Sequence, residues 1–156
     1  MRRIATYIGL LAITVACGQG SGAAAVSGPA AGGSPNLQPD TVTAVVGSTF
    51  NLRLGQTARF NSQGPLVTFT DVREDSRCPV GTQCATAGNA QIALNTRTPE
   101  GATGQTVLNL TATQQFPSTV SIAGIELRFQ GLAPSPQANR TIPRDQYVAT
   151  FVSSRP

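Results

Sequence analysis

Three cysteines, seven carboxylates and two tyrosines are the side chains with which this 156-residue chain can do covalent or proton-transfer chemistry, since it has no His and each of its eleven basic residues is Arg. Proton transfer near neutral pH needs a group that titrates there, and His, Lys and an unpaired thiol are the usual ones. A carboxylate pair serves glycoside hydrolysis when two acids face each other across a substrate cleft. Here Glu100, Glu126 and Asp145 stand in separate segments with no motif around them. No Gly-x-Ser-x-Gly elbow is present to expose a serine nucleophile. The residue types therefore point away from an enzyme: no catalytic residue and no cofactor are expected, and a small hydrolase using carboxylates is the alternative.

The cysteines divide into a lone Cys17 and a close pair within Glu74-Asp75-Ser76-Arg77-Cys78-Pro79-Val80-Gly81-Thr82-Gln83-Cys84-Ala85-Thr86-Ala87-Gly88-Asn89-Ala90. This segment resembles a family of small secreted or lipidated bacterial domains marked by Asp-Ser-Arg-Cys-Pro, four residues, Cys and a short step to Ala-Gly. The resemblance centres on residues 71–94 and extends loosely to the strand pattern of residues 50–152; Thr86 stands where such sequences often carry Trp. It implies an exported β-domain whose cysteines close a loop between two strands, and it implies no activity. Read physically, Cys78 and Cys84 lie six positions apart with Pro79 and Gly81 bending the chain between them. That separation suits disulfide geometry in an exported protein, and closing the ring stabilises by about 2 kcal/mol in the chain-entropy model. A redox or metal role would call for a C-x-x-C spacing, a second Cys pair or His, and the sequence has none of these.

Around the pair, Asp71, Arg73, Glu74, Asp75 and Arg77 make a dense charge cluster in a chain only 12% charged. The cluster is expected to be an ion-pair network that holds the loop against the sheet, with Arg77 or Asp75 bonding backbone groups. A calcium site on Glu74 and Asp75 is the alternative, because hard cations take carboxylate and carbonyl oxygens, although no spaced Asp/Asn series with a closing Glu is present. No metal ligand is assigned.

The lone cysteine sits at the end of a leader. Arg2 and Arg3 form a positive n-region, Ile4 to Val15 an apolar h-region, and Ala16 is the small residue at the cut, so residues 1–16 read as a secretory signal. An apolar run of about 12 residues falls short of the roughly 20 that a membrane-spanning helix needs. Thr14-Val15-Ala16-Cys17 resembles the bacterial lipobox, with Thr14 in place of the usual Leu. That resemblance implies that Cys17 is acylated, palmitate included, and becomes the mature N-terminus. Three cysteines in an oxidising compartment leave one over after a single disulfide, and acylation accounts for it. Several acyl chains on one residue give stable anchoring where a single chain gives marginal, reversible binding.

The elements that must carry these groups follow from composition and period. Residues 17–47 are a lipidated Cys followed by Gly, Ala, Ser and Pro with little else until Val42, the composition of a flexible tether reaching about 30 Å. From Ser48 to Pro156 apolar residues recur at period two, the mark of half-buried strands. Phe50, Leu52 and Leu54 alternate with Asn51 and Arg53, and Ala58 and Phe60 continue the period; Leu66 to Val72 has Val67 and Phe69 facing one way, Ala90, Ile92 and Leu94 alternate with Gln91 and Ala93, and Leu108, Leu110 and Ala112 continue the series. Thr96 to Gly104 reads as a long turn. Val120 and Ile122 fall in one phase and Ile125, Leu127 and Phe129 in the other, so Ala123-Gly124 is expected to be a tight hairpin or a bulge. Tyr147, Ala149 and Phe151 face one way in the last run. No window shows helical spacing. The fold class is all-β, a small antiparallel β-sandwich or partly open barrel of about seven or eight strands.

Net charge adds little. Two of the eleven Arg are in the leader, and the other nine are scattered with no basic run and little aromatic interleaving, so nucleic acid is not an expected partner. The expectation is a lipoprotein of the cell envelope, in the outer membrane or a periplasm-facing membrane. Its domain is a non-catalytic binding or structural module for an envelope protein or glycan, with a calcium-stabilised adhesion-type module as the alternative. The disulfide loop and Pro134-Ser135-Pro136 are the candidate contact surfaces.

Overall fold

The computed structural model describes residues 40–112, 115 and 117–156; Cys17, the leader and the tether as far as residue 39 lie outside the described residues. Among the described residues, alternation of apolar and polar residues is realised as nine strands: β1 Thr41–Ala44, β2 Thr49–Arg53, β3 Thr57–Phe60, β4 Leu66–Asp75, β5 Ala90–Arg97, β6 Thr103–Asn109, β7 Thr119–Ile122, β8 Ile125–Ala133 and β9 Val148–Ser154. A 3-10 turn, Arg144–Gln146, precedes β9. The strands form a five-stranded sheet in the order β1-β3-β4-β5-β6 and a four-stranded sheet in the order β2-β9-β8-β7. Pairing is antiparallel throughout except that β1 runs parallel to β3. Two open sheets buried face to face make a small β-sandwich rather than a barrel.

The inner faces are the apolar phases read from the sequence. Phe60, Val67, Phe69, Ile92, Leu94 and Leu108 from one sheet meet Leu52, Leu127, Phe129, Ala149 and Phe151 from the other, all essentially inaccessible to solvent. With no Trp in the chain, aromatic packing rests on Phe. The Phe151 ring stacks on Phe50 at 5.6 Å and tilts against Phe129 at 5.8 Å, and Phe50 meets the edge of Phe60 at 5.5 Å. Such pairs add to the stabilisation from area alone. Ser153, buried in the same phase of β9, avoids an unmet hydroxyl by donating toward the Val45 and Ser48 carbonyls. Ala123-Gly124 is a two-residue hairpin turn with both φ positive, at 48° and 73°. Both central residues of a type I′ turn require that conformation.

Three expectations are corrected. The tether does not extend to Gly47: Thr41–Ala44 is a strand, tied in where the Thr57 amide donates to the Asp40 carbonyl at 2.7 Å, and Ala44 is buried in the core. One buried and one half-buried apolar residue suffice for a four-residue strand, and a composition dominated by Gly, Ser and Pro upstream conceals so short an element. This strand brings the count to nine. The long turn of Thr96 to Gly104 shrinks to residues 98–102, because Thr96 pairs with Gly104 and Arg97 with Thr103. Those strand ends are polar on their outer face, where the period-two rule is silent. Finally, the strand read as Leu66 to Val72 runs on through two register shifts to Asp75, so Glu74 and Asp75 close β4.

Candidate functional site

Asp75 closes β4, and the chain turns outward from it into the cysteine loop. Cys78 and Cys84 are joined, with their Cα atoms 5.9 Å apart. The loop returns alongside its own start: the Ser76 amide donates to the Asn89 carbonyl at 2.8 Å and the Cys78 amide to the Ala87 carbonyl at 3.0 Å. The Ser76 hydroxyl also accepts from the Asn89 amide at 3.1 Å. This close return is why the Ala87-Gly88 step is needed. Gly88 has φ +70°, and a Cβ there would overlap the Ser76 carbonyl oxygen.

Arg77 is the latch of this loop. Its Nε and Nη2 donate to the two carboxylate oxygens of Asp75, each at 2.7 Å, a bidentate pair. Its Nη1 donates to the Leu132 carbonyl near the end of β8 in the other sheet, and its Nη2 also to the Pro134 carbonyl just beyond that strand at 2.9 Å. The Tyr147 hydroxyl donates to Asp75 at 3.2 Å. The two side chains are 12% and 9% exposed, so the pair works largely out of solvent. Burial by itself pushes the Asp75 carboxyl up, but the Arg77 hydrogen bonds and charge, with the Tyr147 hydroxyl, outweigh it and hold the group below its ordinary 3.8. Burial and then the Asp75 carboxylate push the Tyr147 hydroxyl above its ordinary 10.0, which keeps it protonated and donating.

The expected ion-pair network is thus present, and it bonds backbone groups through Arg77. Its members do not converge on one point. Asp71 is engaged separately by Arg144 and, at 3.5 Å, by Arg73, in an exposed trio of the kind that contributes little. Glu74 is exposed, and Asp75 already has both oxygens bonded. Among the described residues no three carboxylate, Cys or His side chains gather to hold a metal. The three acids weighed for hydrolysis lie in separate elements: Glu100 in the β5–β6 turn, Glu126 on β8 and Asp145 in the 3-10 turn.

Sequence reading missed Tyr147, Arg144 and the Leu132 and Pro134 carbonyls as partners of the cluster. They stand 55 to 73 residues away from the groups they bond, and no local signal marks such pairings. The two candidate contact surfaces prove to be one. The Val80 amide donates to the Pro136 carbonyl at 2.9 Å, and Val80, itself 66% exposed, bridges to Gln137. Beside them Pro134, Gln137, Arg140, Ile142 and Gln146 line a cavity of about 130 Å³.

No family model, no curated protein and no solved structure matches this chain.

Proposed function

We propose that this protein is an exported lipoprotein of the cell envelope, held to a membrane through acylated Cys17, and that its sandwich is a binding module for an envelope partner rather than an enzyme. The reading includes membership of the small bacterial domain family that the Asp75–Gly88 signature resembles. The observation that carries it is the Cys78–Cys84 disulfide. Such bonds persist in oxidising compartments, and pairing these two leaves Cys17 as the single remaining sulfhydryl, at the end of an export leader. A binding role is supported by how the charged groups are used. Asp75 and Arg77, the best-buried ionisable pair, are consumed in joining the two sheets. A carboxylate hydrolase has less support, since Glu100, Glu126 and Asp145 occupy separate elements. A calcium-stabilised module has less support for the reason that Arg77 occupies the Asp75 oxygens.

Anchoring is tested by expressing the full chain in a bacterial host and fractionating it. The wild type is expected in the membrane fraction with a mass increment of acyl chains on Cys17, and Cys17→Ser is expected in the soluble or uncut precursor fraction. Wild-type protein recovered wholly soluble and unmodified would overturn the anchor.

A further inference from the structure

The outer face of the five-stranded sheet is a trough that the charged latch does not use. Its floor is a ladder of cross-strand rows. One row runs Thr41, Thr57, Thr68, Asn95 and Gln105 through β1, β3, β4, β5 and β6, each residue in register with the next. The adjoining row runs Thr43, Arg59, Leu66, Arg97 and Thr103 in the same order. The first row and most of the second line an open cavity of about 740 Å³. Two further cavities continue it, one sharing Arg59, Leu66 and Arg97 and the other sharing Asn95 and Gln105. At about 4.8 Å between strands the rows are about 19 Å long.

Charge in the central 740 Å³ cavity has one sign. Arg59 and Arg97 flank Leu66, two strands and therefore about 10 Å apart. No carboxylate lines the cavity they share, and among the described residues neither forms an ion pair. The acid at the far end, Asp71, is engaged by Arg144 and Arg73. The rest of the floor offers hydroxyls and amides, groups that both donate and accept. Thr57 and Thr68 bond each other across strands at 2.8 Å, and the Thr96 and Thr70 hydroxyls donate to the Gly104 and Ala93 carbonyls of the neighbouring strand.

We propose that this trough binds an acidic polysaccharide, with Arg59 and Arg97 taking carboxylates along the polymer and the Thr, Asn and Gln row bonding its hydroxyls. The inference rests on the reading of the domain as a binding module and supplies the chemistry of its partner. Charge complementarity favours an anion, because a guanidinium without a carboxylate neighbour is matched by a planar carboxylate bidentately. A nucleic-acid strand fits less well, since no aromatic side chain lines the floor to stack a base. An extended peptide adds to a sheet edge through main-chain hydrogen bonds, whereas this is a sheet face whose main-chain groups are spent in the ladders.

The test is a titration of the full-length protein in detergent micelles with polygalacturonate. Its methyl ester, poly-Glu and single-stranded DNA are parallel titrants. Saturable binding of polygalacturonate, weakened by salt and absent with the ester, is expected. The Arg59→Gln/Arg97→Gln double variant is expected to lose affinity about tenfold or more. Arg53→Gln/Arg128→Gln, which removes an equal charge from exposed positions on β2 and β8, is expected to bind as the wild type does. No binding by the folded wild type overturns the proposal, as does equal weakening by Arg53→Gln/Arg128→Gln or equal or tighter binding of poly-Glu or DNA. Self-association that the double variant abolishes would also overturn it by seating a second copy in the trough. None of these outcomes moves the acylation of Cys17, which is read separately by mass.

Discussion

Arg77→Ala is expected to destabilise the domain by about 3 kcal/mol, read as a fall in the urea midpoint at unchanged slope. Removing one partner of a buried pair leaves the other charge uncompensated, which typically costs 3–5 kcal/mol and more than the pair itself contributes. Here three partners are left behind: the Asp75 carboxylate and the Leu132 and Pro134 carbonyls. Arg77→Lys is expected to recover only part of the loss, because an ammonium cannot span both oxygens of Asp75 and reach β8 at once. The pH dependence has a definite sign. Asp75 titrates below 3.8 in the folded protein and near its ordinary value unfolded. Its contribution is therefore fully present above the unfolded value and is lost as pH falls through the folded one. In Arg77→Ala the same carboxyl, still buried, gains from protonation. The difference in stability between wild type and variant is thus expected to narrow as pH drops below about 4. A gap that stays constant down to acid pH would mean that the pair is not what holds the sheets together.

Gly88→Ala is expected to cost about 3 kcal/mol through a different cause. The residue sits at φ +70°, and its missing Cβ lies where the Ser76 carbonyl oxygen already is. Left-handed backbone strain at a non-glycine residue costs roughly 1–3 kcal/mol, and the overlap must be relieved by moving a main-chain group rather than a side chain. Separating the two strands of the loop would break the Ser76–Asn89 and Cys78–Ala87 hydrogen bonds. Gly81→Ala is the matched control: φ is +79°, but nothing lies within 4 Å of its would-be Cβ. It is expected to lose about 1 kcal/mol, the strain alone. Equal losses at the two positions would show that the close approach contributes nothing.

The two predictions also explain a sequence pattern. Asp75, Arg77 and Cys78 on one side of the signature and Ala87-Gly88 on the other are the two halves of one closed loop. The acid and the guanidinium pair with each other, the cysteine is bonded across to Cys84, and the glycine admits the returning chain. Thr86 is an exposed residue within the loop.

Alternation of side chains was enough to locate seven of the nine described strands and to divide their residues between core and surface, since the period of a strand is a local property and each apolar phase has one way to face inward; β6, read from Leu108 to Ala112, instead runs from Thr103 to Asn109. The Ala123-Gly124 reversal of phase and the six-residue spacing of Cys78 and Cys84 were local in the same sense. Tertiary structure decided what depends on strand order. The parallel seating of β1 beside β3 was invisible beforehand, as were the carbonyls that Arg77 reaches across the sandwich. Strand order also turned Asp71 toward Arg144 and left Arg59 and Arg97 together without an acid. Each of these joins residues far apart in the chain, and a pattern with a period of two carries no record of which strand will lie beside which.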